Sequence, residues 1–190
     1  MNNFALALSG QGKYKEAEVI DRVTLALKEE VLGKEHPSTL TSMNNLAQAL
    51  SDQGKYVEAE VMDRATLALR EKVLGKEHPS TLASMNNLAQ ALSRQGKYAE
   101  AEVMHRSTLA LKEEVLGKEH PETLGALFNL ASVLQQQGNI SEAILFFQEE
   151  LNRCETLYGP HHNETMASRR NLANILKSYE ELGRETGGDR

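Results

Sequence analysis

Apolar residues recur along this chain with the spacing of helices. Between residues 38 and 53, four apolar residues follow one another at steps of three, four and three: Leu40, Met43, Ala47 and Leu50. These steps place the four side chains on one face of a helix. Pro37 precedes the run, and we expect Ser38 or Thr39 to cap the helix. Gly54 follows it, and a glycine commonly ends a helix in the left-handed conformation.

A second apolar pattern predicts another helix over residues 55–74, closed by Gly75. The whole pair then recurs, because the segment Gly-Lys-Glu-His-Pro begins at residues 33, 75 and 117, and a decayed copy begins at Gly159. Residues 33–74 and 75–116 differ at only seven of 42 positions. The chain is therefore an array of helix pairs. Since a lone pair cannot bury its apolar face, neighbouring pairs are expected to stack.

The repeat predicts an all-α chain in which two kinds of helix alternate. The first helices are expected at about 2–11, 38–53, 80–95, 122–137 and 164–182. The second helices are expected at about 13–32, 55–74, 97–116 and 139–157.

We expect one repeat array over residues 1–182, followed by a disordered tail over residues 183–190. The array divides into an incomplete unit, three full units and a terminal helix, at about 1–32, 33–74, 75–116, 117–158 and 159–182.

The composition of the chain indicates which partners it is suited to bind and in which compartment it is expected. The 190 residues include 21 Lys and Arg against 27 Asp and Glu, for a net charge of −6. An acidic chain is poorly suited to nucleic acid or to an anionic membrane surface. No apolar run approaches a membrane span, and the start of the chain lacks a basic leader. Cys154 is the single cysteine, which excludes an internal disulfide. These features predict a cytoplasmic location.

Sequence motifs of catalysis and metal binding are absent. The chain has no GxxxxGK[ST], HExxH, GxSxG or CxxC segment, so we expect no catalytic residue and no cofactor. Its joint histidines lie one repeat apart, which is too far for a shared metal ion: His36, His78, His120 and His162. The paired acids Glu16 and Glu18, with their copies, are expected to complement a helix dipole or to form an acidic docking patch.

A polar stripe accompanies the apolar face of each first helix. Thr41, Asn45, Gln48 and Asp52 follow one another at steps of four, three and four, about 100° from the apolar face. Stacked repeats align equivalent positions into ladders, the strongest of asparagines. An amide both donates and accepts hydrogen bonds, which suits an extended peptide. The candidate binding residues are Asn3, Thr41, Asn45, Gln48, Asp52, Ala83, Asn87, Gln90, Arg94, Asn129, Ser132, Gln136, Arg170, Asn171 and Asn174.

Four recurring segments resemble the tetratricopeptide repeat: Asn45-Leu46-Ala47, Gln53-Gly54-Lys55-Tyr56, Glu58-Ala59-Glu60 and Leu74-Gly75. The 42-residue length and the Leu-Gly-Lys-Glu-His-Pro joint resemble the long variant of the kinesin light chain type. The resemblance implies a right-handed α-solenoid of antiparallel helix pairs, with the polar stripe on its concave side. It also implies that the asparagines hold the backbone of a bound peptide.

Several functions agree with this resemblance. The first is a non-catalytic scaffold that binds a peptide or helical segment of a partner protein, and such a scaffold also resembles the ligand-sensing end of nucleotide-binding receptors. The alternatives are a kinesin light chain-like cargo adaptor and a module that stacks end to end through Met1, Phe4 and Leu8. The asparagines could instead bond the neighbouring repeat. Binding of an acidic chaperone tail is disfavoured, because Thr41 and its counterparts include no lysine.

Overall fold

The computed structural model describes the backbone of residues 2–187, and the side chains at positions 4, 5 and 7–181. These residues form helices joined by short loops, without a strand among them. The helices are α1 (Asn2–Gly10), α2 (Tyr14–Leu32), α3 (Pro37–Asp52), α4 (Tyr56–Leu74), α5 (Pro79–Arg94), α6 (Tyr98–Leu116), α7 (Pro121–Gln136), α8 (Ile140–Tyr158) and α9 (Asn163–Gly187). Within residues 2–187 no helix has the length and apolarity needed to cross a bilayer.

The chain divides into two compact units, residues 1–97 and residues 98–190. In the first unit, α3 packs between α2 and α4, and α4 also packs on α5. The core around α3 holds Leu25, Leu40, Met43, Leu46, Leu50 and Ala59. In the second unit, α7 packs between α6 and α8, and α9 packs on α8. Short loops connect consecutive helices, as in antiparallel helix pairs.

Glycines end the helices as the sequence predicts. Gly54 follows α3 with φ +77° and Gly75 follows α4 with φ +88°, both in the left-handed region. After α3 the Lys55 N–H donates to the Leu50 carbonyl at 3.0 Å, and the Gly54 N–H donates to the Ser51 carbonyl at 3.0 Å. These two bonds form a Schellman motif, which satisfies carbonyls that the helix leaves open.

The predicted N-cap of the first helices is wrong. The Nδ1 atom of His36 accepts the Ser38 N–H at 3.1 Å, so the histidine before the proline is the cap. Pro37 occupies the first helical position and has no N–H to donate, which makes Ser38 the first backbone donor. Thr39 instead donates its hydroxyl to the Gly33 carbonyl at 2.8 Å. The same cap recurs at His78, His120 and His162.

The terminal helix is longer than the sequence predicts. We expect it to end at Leu182, but α9 continues to Gly187. Gly183 destabilises the helix by only about 1 kcal/mol relative to alanine, and Arg184 and Glu185 have high helix propensities. Residues 188–190, the remainder of the expected tail, lie outside the described residues.

A layer of buried polar residues joins each second helix to the next first helix. In the first unit, Lys28 donates to the Ser42 hydroxyl at 2.8 Å, and Arg70 donates to the Ser84 hydroxyl at 2.8 Å. Acids stand seven residues before these cations, at Asp21 and Asp63, and both are at least 96 % buried. Burial raises the pKa of Asp63 to about 7, which the charge of Arg70 only partly offsets.

His105 occupies the equivalent position in the second unit and is 97 % buried. Burial lowers its pKa to about 4, and its Nδ1 atom has no hydrogen-bond partner among the described residues. The next copy carries Phe147 at this position, also buried. The position therefore accepts an aromatic ring without a charge.

We predict that capping by His78 stabilises α5. The change His78→Ala removes the acceptor for the Ser80 N–H and is expected to lower the free energy of unfolding by about 1 kcal/mol. Urea unfolding followed by circular dichroism measures the loss. His78→Asn supplies another good capping acceptor and should restore most of it. Equal losses in the two variants would show that the ring matters for packing and not for capping.

We also predict that His105 makes the chain sensitive to acid. The unfolded histidine titrates near 6.5 and the folded one near 4, so the unfolded state binds more protons between these values. The folded state keeps His105 neutral, and this costs nothing above pH 6.5. As the pH falls from 6.5 towards 4, the free energy of unfolding therefore decreases by roughly 3 kcal/mol. His105→Phe should remove this loss, as measured by urea unfolding at both ends of the range.

Asp63→Asn provides the control of opposite sign. The folded pKa of Asp63 is about 7, so between about pH 4 and pH 7 the unfolded state loses this proton while the folded state keeps it, and the free energy of unfolding falls as the pH rises. The gain in stability from Asp63→Asn should consequently increase with pH, whereas the gain from His105→Phe increases as the pH falls. Two variants with parallel, pH-independent effects would contradict both assignments.

Candidate functional site

The polar stripe of the first unit is open to solvent. Its outermost members on α3 and α5 are exposed: Thr41, Gln48, Ala83, Gln90 and Arg94. Asn45, Asp52 and Asn87 are half-buried beside them. The opposite faces of the same helices carry the buried leucines, because residues three and four apart share one helix face. The side chain of Asn3 lies outside the described residues.

One asparagine of the stripe links two neighbouring first helices. Asn87 donates its amide to the Asn44 carbonyl oxygen at 2.7 Å, which links α5 to α3. Asn45, one position after Asn44 on α3, has no hydrogen-bond partner among the described residues. The Asn87 amide therefore bonds the neighbouring repeat, whereas the equivalent partner position for Asn45 is Asn2, whose side chain lies outside the described residues.

The charged members of the stripe are held near the carboxyl ends of α3 and α5. Asp52 accepts a hydrogen bond of 2.7 Å from Gln48 within α3. Arg94 donates to the Ser51 hydroxyl at 3.0 Å, and its guanidinium lies 5.9 Å from the centre of the Tyr56 ring. These contacts hold the Asp52 carboxylate and the Arg94 guanidinium in defined positions on the surface of the stripe.

The second unit presents a different set of candidate residues. Gln136, Arg170 and Asn174 are exposed, whereas Asn129, Ser132 and Asn171 are half-buried. Ser132 donates its hydroxyl to a carbonyl of its own helix at 2.8 Å. Asn171 lines a cavity of about 280 Å³ between α7, α8 and α9.

The acidic pairs of the second helices are part of the scaffold. Glu18 is 92 % buried and accepts bonds from Lys55 at 2.7 Å and Gln53 at 2.8 Å, both from the loop after α3. The hydrogen bond from Lys55 lowers the pKa of Glu18 to about 2, against the opposing effect of burial. Glu60 accepts equivalent bonds from Lys97 and Gln95. These links were not predicted from the sequence, although Lys55 follows Glu18 at the same separation of 37 residues as Lys97 follows Glu60.

The arrangement offers hydrogen-bond donors and acceptors on an open surface. Among the described residues no three His, Cys, Asp or Glu side chains form a group that could hold a metal ion. The four joint histidines use Nδ1 to cap helices. The stripe can therefore bind a group by hydrogen bonds and by the charges of Asp52 and Arg94.

Comparison with known proteins identifies the repeat. A family model described as "Tetratricopeptide repeat" matches residues 1–72, 44–114, 94–156 and 122–183. A comparison with curated proteins gives no match.

Solved structures share the fold. A protein of Podosopora anserina, named for a kinesin light chain with nearly identical TPR-like repeats, is 27 % identical over 98 % of this chain and 88 % of that chain. Two crystal structures of it, one of a single-residue variant, give TM-scores of 0.86 and 0.85. BtubC (BKLC) from P. vanneervenii shares the fold at 17 % identity, with a TM-score of 0.80 over 96 % of this chain and 73 % of that one. The predicted solenoid of helix pairs and the resemblance to kinesin light chain-type repeats are confirmed.

We predict different costs for removing the two asparagines. Asn87→Ala breaks the 2.7 Å bond to Asn44 and should lower the free energy of unfolding by about 1 kcal/mol. Asn45→Ala removes no bond among the described residues and should change stability by less than about 0.5 kcal/mol. Chemical unfolding of both variants measures the difference. A large loss in Asn45→Ala would mean that this asparagine also serves the scaffold.

Proposed function

Because this chain belongs to the tetratricopeptide repeat family, we propose that it is a non-catalytic scaffold whose polar stripe binds an extended peptide segment of a partner protein. Tetratricopeptide repeats serve in protein–protein interaction, and the matched structures contain the same type of repeat. The observation that carries the peptide proposal is the exposure of the stripe on α3 and α5, where the side chains of Gln48, Gln90 and Arg94 reach solvent. A peptide backbone offers donors and acceptors that can pair with these amide and guanidinium groups.

The differences between α3 and α5 support the same site. The two helices differ at only two positions, Thr41 against Ala83 and Asp52 against Arg94. All four residues belong to the stripe and none belongs to the buried core. A surface that recognises the side chains of a ligand is expected to vary between copies, while the residues that hold the fold stay constant.

The matched structures favour one setting for this binding. The Podosopora anserina protein is named for a kinesin light chain, so we propose a peptide-binding adaptor of similar type over the ligand-sensing end of a nucleotide-binding receptor. A cytoplasmic location is part of this proposal.

End-to-end stacking through the first helix is less favoured. Phe4 is 60 % exposed and could meet another copy, but Leu8 is 94 % buried against Ala5 and Ala17. One of the apolar residues expected at that surface is thus already used within the chain.

We predict that the stripe of the first unit determines peptide binding. Peptides selected on the full chain from a random library should bind Asn45→Ala/Gln48→Ala about tenfold more weakly, because two amides that contact the peptide are lost. Fluorescence polarisation measures the affinities.

The matched control is Val61→Ala, which shortens an exposed side chain of α4 outside the stripe. Its affinity should equal that of the unaltered chain. If Val61→Ala weakens binding and the stripe variant does not, the peptide site lies on the second helices and the proposal is wrong.

A further inference from the structure

The fourth repeat lacks a cation that the three earlier repeats carry. Lys28, Arg70 and Lys112 occupy equivalent positions, and each donates to a carbonyl in the first turn of the next helix. Cys154 stands at this position in α8. Its side chain is buried and too short to supply either the charge or the reach of Arg70.

A cavity of about 280 Å³ opens where this cation is missing. Three helices line it: Gly125 and Phe128 from α7, Glu150 and Tyr158 from α8, and Glu164 and Asn171 from α9, among others. Gly125 belongs to the row of Thr41 and Ala83, and a side chain added there would meet open space. Gly125 and Asn171 both occupy stripe positions, so the cavity lies beside the stripe of the second unit.

Glu150 is an unusual residue in this cavity. The three earlier repeats carry a buried threonine at its position: Thr24, Thr66 and Thr108. Glu150 is 94 % buried, and its Oε1 atom accepts hydrogen bonds from Ser168 at 2.7 Å and Cys154 at 3.3 Å. Its Oε2 atom has no hydrogen-bond partner among the described residues. A buried carboxyl oxygen without a partner is costly, so the substitution calls for a function.

The cavity is acidic. Burial raises the pKa of Glu150, and the nearby charge of Glu164 adds to this effect. Among the described residues that line the cavity, none is a lysine or an arginine. A bound cation would favour the ionised form of this carboxyl group.

We propose that this cavity binds a lysine or arginine side chain of the partner segment, which takes the place of the missing repeat cation. The inference rests on the proposed function, since the segment that lies on the stripe would present this side chain. The carboxyl groups of Glu150 and Glu164 attract the ligand cation, and Phe128 and Tyr158 offer ring surfaces to its aliphatic stem. The volume lies just below the range typical of small-molecule sites, which fits a single side chain.

The test uses small probes on the full chain. Nα-acetyl-arginine amide and Nα-acetyl-lysine amide are titrated and followed by nuclear magnetic resonance shifts of backbone amides. We expect saturable shifts at Gly125, Glu150 and Asn171 with dissociation constants in the millimolar range for at least one of the two. Nα-acetyl-citrulline amide has nearly the shape of the arginine probe without its charge and should bind at least tenfold more weakly.

Three variants locate the site. Glu150→Gln should weaken probe binding about tenfold or more, and Gly125→Leu should abolish it by filling the cavity from a helical position that tolerates a side chain. Cys154→Lys returns the repeat cation, so it should abolish probe binding and raise the thermal midpoint. Glu114→Gln removes an exposed charge of α6 and should leave binding unchanged.

Equal binding of the citrulline and arginine probes would overturn the inference, and so would probe binding that survives both Glu150→Gln and Gly125→Leu. Absence of any shift at the cavity would overturn it as well. The stripe variant Asn45→Ala/Gln48→Ala lies in the first unit and does not line this cavity. If this variant loses peptide binding but still binds the probes, both proposals are supported. If it binds peptides as the unaltered chain does, only the proposal that the stripe is the peptide site is refuted.

Discussion

The apolar residues of α3 are buried by two second helices, α2 before it and α4 after it. A single helix pair therefore leaves part of its apolar surface for the next pair to bury, and the array is expected to be stable only as a stack. Glu18 strengthens this dependence, because its partners Lys55 and Gln53 come from the loop after α3. Since packing occupies the inner faces of the first helices, only their outer stripe can vary between copies without loss of the core.

The polar layer shows how a repeat can acquire a site. In the first unit the chain supplies both partners of this polar layer, because Arg70 donates a hydrogen bond to the Ser84 hydroxyl. In the fourth repeat, Cys154 stands in place of the cation and Glu150 in place of a threonine. Gly125, which lines the same cavity, has no side chain. None of these changes disturbs the leucines of α7, which stay at least 96 % buried. The scaffold therefore tolerates an unsatisfied acid because neighbouring helices hold it in place.

The repeat made the helices and their glycine ends predictable, because each signal occurs several times in register. Capping by His36 was not predictable from residue preference, since histidine is not among the strongly preferred capping residues and Ser38 and Thr39 are. The role of Asn87 depends on a contact with a residue 43 positions earlier, which the spacing along one helix does not show. The cavity leaves a signal in the alignment of the copies, where Glu150 and Cys154 replace threonine and a cation. That signal gains meaning only when the structure places both residues around one space.

The central claim is that the first helices bind the partner while the second helices hold the stack. Hydrogen exchange of the full chain, with and without a saturating library-selected peptide, tests it most directly. The account predicts slower exchange in the exposed-stripe helices α3 and α5 and little change in α4. Slower exchange confined to α4 or α2 would contradict it, because the peptide would then contact the face that the account assigns to the scaffold.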